Sequence, residues 1–206
     1  MANSKRENEL DTNCRCYHID QHCTGAFKLF KSWDYYRYFM RKLSLKLRER
    51  GVKLLFFCIM DDHYHILVWT PHVGVTQKVL TCANTSFGKH VHNEMKFKES
   101  VFRSRPWFRA IPNKQELYGC IRYIYNNPKE AQICEPEEYR KATVNEYLTG
   151  NWYYTDKEAL EEHLGMNVER LFELLENGAE TAKWKNLDRE EEAREFFIDP
   201  ALPFLP

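Results

Sequence analysis

The 206-residue chain is 43% hydrophobic and 15% aromatic, and its 30 Lys and Arg are balanced by 30 Asp and Glu. That apolar content supports a packed core and excludes a disordered chain, and no apolar run approaches the ~20 residues of a membrane span. The zero net charge hides an asymmetry: residues 1–140 carry 23 Lys and Arg against 15 Asp and Glu, whereas residues 141–206 carry 7 against 15. A basic body with an acidic tail is compatible with phosphate binding by the body.

The opening MANSKRENEL has no hydrophobic stretch after its basic pair, so a secretory signal is not expected. Cys16–Asp20 (CYHID) is the first segment with strand character. Ser32–Glu49 reads as an amphipathic helix. Trp33, Tyr36, Phe39, Met40, Leu43, Leu45 and Leu47 supply much of its apolar face, Ser32 and Asp34 are cap candidates, and Gly51 ends it. Val52–Met60 is a nearly continuous apolar run suited to a buried central strand. Asp61–Asp62 then makes a turn into a second strand, His63–Thr70, to form a hairpin.

Gly74–Met95 carries a helix-like pattern, and Val101–Ile111 reads as irregular or strand-like because Pro106 interrupts it. Asn113 caps a predicted helix, Lys114–Asn126, that Pro128 should terminate. Asp156–Leu164, Val168–Asn177 and Asp188–Phe197 read as further short helices. The order β-α-β-β-α-β-α predicts an α+β fold. Its first six elements form a ferredoxin-like split β-α-β sandwich, an antiparallel sheet with helices on one face, and a helical C-terminal tail follows.

Seven cysteines are odd in number and form no Cys-x-x-Cys pair, which argues against a zinc ribbon and a thioredoxin-type site. Reduced thiols in a cytoplasmic protein are the expected state. Cys14 and Cys16 with His18 and His22 are a weaker zinc candidate, because i, i+2 spacing suits the usual knuckle poorly.

Two local features carry chemistry. His63-Tyr64-His65 lies on a predicted strand, where alternation puts both imidazoles on one face and lets them converge on one ion. Alone, a pair of half-buried polar residues is the plainer reading. His90-Val91-His92 has the same spacing in a helical context, where i, i+2 side chains diverge, so it is a poor chelator. The second feature is Tyr123-Ile124-Tyr125-Asn126-Asn127-Pro128, in which Tyr123 and Asn127 stack one helical turn apart. A tyrosine hydroxyl, with a free pKa near ~10, needs a phosphate held and polarised by a cation before it can attack phosphorus. An amide oxygen one turn away is a suitable hard ligand for such a cation.

Together these segments resemble the REP-associated tyrosine transposases and related insertion-sequence transposases. FCIMDDHYHILV (Phe57–Val68) resembles their histidine-pair strand, YIYNNPKEAQI (Tyr123–Ile133) their tyrosine helix end, and CYHID their first strand. The resemblance spans about residues 14–150, between a 1–13 extension and an acidic helical tail, 151–206. It implies that Tyr123 is the nucleophile. It further implies that His63 and His65 are the metal-ligand pair of the HUH superfamily, with Asn127 as third ligand to Mg²⁺ or Mn²⁺. The implied substrate is single-stranded DNA folded into hairpins, cleaved and rejoined through a 5′-phosphotyrosine by a monomer or homodimer.

Arg103, Arg105, Trp107 and Arg109 interleave charge with an aromatic, as expected of a backbone-tracking surface. Lys53, Lys89, Lys96, Lys98 and Lys114 are further candidates for phosphate contacts. Asp61–Asp62 stands where the resembled family commonly has Pro-Asn, and Gln21–Phe27 replaces its Arg-Gly-rich stretch. Two other readings stay open: a domesticated hairpin-binding protein that does not cut, and a relaxase or replication-initiator type of nickase.

Overall fold

The computed structural model describes residues 14–25, 27–96, 99–103 and 105–180; the 1–13 extension and the expected helix Asp188–Phe197 lie outside them. Four strands, β1 (Cys16–His22), β2 (Lys53–Ile59), β3 (His63–Trp69) and β4 (Trp107–Ala110), form one sheet in the order β2-β3-β1-β4. All three pairings are antiparallel. Helices α1 (Trp33–Glu49) and α2 (Val73–Met95) complete the split β-α-β sandwich. They cover one face: Phe39, Met40 and Leu43 of α1 and Leu80 and Phe87 of α2 pack with Ile19, Tyr64 and Ile66 of the sheet.

The opposite face is also covered, which the predicted one-sided sandwich does not include. Helices α3 (Lys114–Glu130), α4 (Thr143–Thr149), α5 (Lys157–Leu164) and α6 (Val168–Glu180) follow β4. Leu117, Ile121 and Ile124 of α3, Leu160 of α5 and Phe172 of α6 form a second core with Cys16, Phe56, Cys58 and Leu67. The run LLFFC in β2 is apolar on consecutive residues because it is buried on both sides. A register shift between Leu54 and Phe56 turns both Leu55 and Phe56 into the second core.

β2 is an edge strand rather than the central strand its composition predicts, and its free edge is sealed by later chain. Ile59 N–H donates to Lys141 O (2.9 Å), Phe57 N–H to Thr143 Oγ1 (2.9 Å) and Asp156 N–H to Leu54 O (2.8 Å). An apolar edge covered in this way presents no template for pairing with another chain.

Pro128 does not end α3, which runs on to Glu130. The proline sits in the last turn, where little of the hydrogen-bond ladder remains to be broken. The end is closed by Ala131 N–H on Asn127 O and Ile133 N–H on Pro128 O, both 3.0 Å, with Gln132 in the left-handed region at φ 56°. Asn126 and Asn127 donate their side-chain amides back to Arg122 O (3.1 Å) and Tyr123 O (3.2 Å).

The segment that seals β2 depends on a buried carboxylate. Glu146 of α4 accepts from the backbone N–H groups of Tyr153 (3.1 Å), Tyr154 (2.8 Å) and Thr155 (3.0 Å). Burial lifts its pKa above the usual carboxylate range despite those three hydrogen bonds. Glu146→Ala leaves the donors without an acceptor and is expected to destabilise the fold by about 2–4 kcal/mol. Urea unfolding of the variant checks this, and a midpoint within error of the parent protein's would show that the loop holds without the carboxylate.

Candidate active site

Two strands and one helix, distant in sequence, converge on the second face. β1 and β3 pair with Asp20 opposite His65 and His22 opposite His63. Alternation therefore places His18, Asp20 and His22 on the face that carries His63 and His65. Toward the other end of the same face the side chains are apolar, Cys16 and Leu67, and these anchor α3. The helix thus lies with its buried residues over the apolar end and Tyr123 over the histidines. The Tyr123 ring stands edge-on to His18 and His65, with centroids 5.8 and 5.3 Å away.

Burial divides the roles. Tyr123 is 53% exposed, whereas His65 beneath it is 4% exposed. Desolvation by burial, then the nearby imidazoles of His18, His63 and His22, push the His65 pKa down to about 2; a hydrogen bond to the Asn127 side chain, whose amide oxygen accepts, offsets part of this. His65 is consequently a neutral imidazole with a lone pair at any ordinary pH. Its Nδ1 lies 3.1 Å from His18 Nε2, one ring donating and the other accepting, and the two rings stack at 5.2 Å.

His63 is held differently. Its ring is 5.0 Å from that of His65 and stacks on His22 at 4.6 Å. His63 Nδ1 lies 2.7 Å from Asp62 Oδ1. Partial burial alone would raise the Asp62 pKa, but the hydrogen bond and electrostatic interaction with His63 outweigh it and hold the carboxyl below its usual range. Partial burial and the neighbouring His63 depress the His22 pKa.

The four sequence-derived residues Tyr123, His63, His65 and Asn127 are thus gathered in one place. Among the described residues, no group of three or more His, Cys, Asp or Glu side chains is arranged to hold a metal ion. The candidate set draws on only two such side chains and completes itself with an amide, a nitrogen and oxygen donor mixture that suits divalent ions. Trp107 joins the site, its ring edge-on to His18 at 6.1 Å. Arg103 donates its backbone N–H to His22 O (3.0 Å) and lies close enough to help depress the pKa of His22. Arg109, opposite His18 in the β1–β4 register, reaches Glu116 at 3.3 Å. Arg105 is exposed at the approach to β4. Lys53 pairs with Asp156 (2.7 Å) at the far end of the sheet, opposite Trp69, so it does not face the site.

The sequence pattern alone does not place His18 and His22 in this cluster, whereas Asp62 stands directly before the histidine pair, where an extra carboxylate is expected to bear on the site. The signal was present: His18, Asp20 and His22 alternate along β1 as His63 and His65 do along β3, and pairing the two strands unites them. The zinc set of Cys14 and Cys16 with His18 and His22 does not form. Cys14 Sγ donates to Cys16 O and Ile111 O, both 3.1 Å, and Cys16 is sealed in the core six residues from His22 along an extended strand. The other histidine pair diverges as expected: His90 stacks on Tyr38 at 3.9 Å, and His92 bonds Glu99 O at 2.7 Å.

No family model matches this chain, and no curated protein does. Among solved structures it is similar to a REP-associated tyrosine transposase bound to a REP hairpin. The TM-score is 0.56 and the identity 15%, over 75% of this chain and 90% of that one. At that identity the likeness is one of fold. No helix among the described residues is long and apolar enough to cross a membrane.

The state of His65 has a consequence for acid stability. Unfolded, its imidazole titrates near ~6.5; folded, it resists protonation down to about 2. Below pH ~6.5 the unfolded chain takes up a proton that the native site refuses, so stability falls as pH falls through the window between these values. The slope approaches about 1.4 kcal/mol per pH unit, or roughly 2 kcal/mol between pH 7 and 5. Denaturant unfolding across that range should show a steeper loss for the parent protein than for His65→Gln. Equal slopes would mean that His65 is not held neutral.

Proposed function

We propose that this chain cleaves and rejoins single-stranded DNA folded into hairpins, with Tyr123 as nucleophile and a divalent ion, Mg²⁺ or Mn²⁺, held by His63, His65 and Asn127. The observation that carries this reading is the exposed Tyr123 hydroxyl-bearing ring set against buried, neutral His65. A packing tyrosine would be buried with its hydroxyl partnered, and a pair of structural histidines would not need a phenol poised at their open side. The similar solved structure, a transposase holding a REP hairpin, supports DNA of that form as the partner.

In the proposed step the Tyr123 phenol oxygen attacks a backbone phosphorus. A phosphorus–tyrosyl bond forms, the bond to the 3′ oxygen breaks, and the phenolic proton is balanced by the one gained on the released 3′-hydroxyl. The 5′-phosphotyrosine keeps the energy of the broken bond, so the same or another 3′-hydroxyl can reverse the step without an external energy source. When bound, the ion would polarise the scissile phosphate and offset its charge. His65 contributes by staying unprotonated, and Asn127 by presenting an amide that carries no charge to repel phosphate. Trp107 supplies a stacking surface beside His18, and Arg103 and Arg105 supply cations along the approach to β4.

The test is a cleavage assay with end-labelled single-stranded hairpin DNA and Mn²⁺ or Mg²⁺, run beside Tyr123→Phe. A nicked product and a covalent protein–DNA adduct are expected, both falling by at least about 10³-fold in the variant, since no other group replaces the nucleophile. Hairpin binding without cleavage, equal in the two proteins, would favour the non-cutting hairpin binder instead.

A further inference from the structure

Of the two aspartates that precede His63, one belongs to the fold and the other to the site. The Asp61 carboxylate faces the Lys141 ammonium at 3.8 Å, and that ammonium also donates to Phe30 O and to Lys31 O (3.2 Å). Asp61 thereby helps to hold the turn entering α1 against the segment that seals β2. The Asp62 carboxylate points the other way, to His63 Nδ1 at 2.7 Å.

We infer that Asp62 is a positioning residue, which fixes the His63 ring as the Nδ1–H tautomer and leaves the Nε2 lone pair free to serve the site; this rests on His63 being a metal ligand, as proposed above. A carboxylate can only accept, so the proton of a neutral imidazole facing it must sit on Nδ1. The opposite nitrogen then carries the lone pair. Stacking on His22 restrains the ring plane from one side, and the hydrogen bond fixes its rotation within that plane. A carboxylate behind a ligating imidazole also makes the ligand more basic.

The location of the carboxylate is itself fixed by the backbone. Asp62 O accepts from Cys23 N–H (2.7 Å) and Asp61 O from Phe30 N–H (3.0 Å), so the turn is pinned by bonds that do not involve either side chain. A substitution at Asp62 removes the carboxylate's bonds to His63 and to its own backbone N–H, while these main-chain bonds still hold the turn. The Asp62 and His63 side chains are 48% and 17% exposed, so the value of the pair lies in orientation more than in stability.

The experiment uses the full chain labelled with ¹⁵N in its histidines, free of metal, at about pH 8, well above the free imidazole pKa of about 6.5. Two-bond ¹H–¹⁵N correlation spectra read the tautomer of His63 in the parent protein, Asp62→Ala and Asp62→Asn. The Nδ1–H form is expected in the parent and in Asp62→Asn, whose amide oxygen can still accept, and Asp62→Ala should give a mixture or the Nε2–H form. Mn²⁺ alone is then titrated into each, with free Mn²⁺ read by electron paramagnetic resonance. Asp62→Ala should bind about 10–100-fold more weakly, and Asp62→Asn should recover part of the loss.

A His63 tautomer that is Nε2–H in the parent, or unchanged in Asp62→Ala, overturns the inference. So does a Mn²⁺ affinity equal in the parent and Asp62→Ala. If the parent binds no Mn²⁺ but its tautomer still depends on Asp62, the orienting role stands and the metal-ligand reading of His63 is what fails.

Discussion

The site depends on one register, the antiparallel pairing of β1 with β3. Asp20 faces His65 and His22 faces His63, so two alternating strands contribute to a single face. A slip of one residue in either strand would carry its histidines to the opposite face, into the core with Tyr64 and Phe39. The register is secured by that same core. Ile19, Tyr64 and Ile66 must reach α1 and α2 on one side while Cys16 and Leu67 meet α3 on the other. Hydrophobic packing on both faces thus places four imidazoles and a tyrosine that take little part in it.

The gradient along the second face is the next consequence. Where the face is apolar, α3 can bury Leu117, Ile121 and Ile124; where it becomes polar, the helix continues with an exposed tyrosine and an asparagine. Continuing through Pro128 keeps Asn127 helical and one turn from Tyr123. An earlier end to the helix would release Asn127 from that spacing. The two asparagine amides that bond back to the preceding turn, with the carbonyl contacts of Ala131 and Ile133, hold this last stretch of helix together.

The strands and long helices were legible because their signals are local. Ser32 caps α1 through Tyr35 N–H (3.4 Å) and Asn113 caps α3 through Glu116 N–H (2.9 Å), as their side-chain types predict. The Tyr123–Asn127 spacing and the His63–His65 alternation follow directly from helical and strand periods. What stayed hidden required tertiary contacts. Gln21 and His22 extend β1 although neither is a strand former, because β3 supplies their partners. Pro106 reads as an interruption, yet β4 starts directly after it, at the sheet edge where a proline is tolerated. The seven residues of α4 include β-branched Thr143 and Val144 and carry no strong helical signal; burial of Glu146 under its loop and of Val144 in the second core keeps them helical.

The electrostatics of the cluster impose a further requirement on any anionic ligand. Four imidazoles packed with centroids 4.6 to 5.2 Å apart cannot all carry charge, and burial selects the neutral form most strongly at His65. Two carboxylates, Asp20 and Asp62, stand close enough to His22 to favour its protonated form, and Arg103 stands close enough to oppose it. With His65 neutral and the His22 pKa depressed, these two rings add little positive charge at the centre of the site. Arg103 and Arg105 lie at its rim, on the approach to β4. On the function proposed above, a phosphate would be drawn in from the side of Arg103 and Arg105, and the proposed divalent ion would supply positive charge beside Tyr123. A neutral imidazole such as His65 would suit that proposed role: it can donate an electron pair to a cation without repelling it, and it leaves the cation's charge unneutralised for the phosphate.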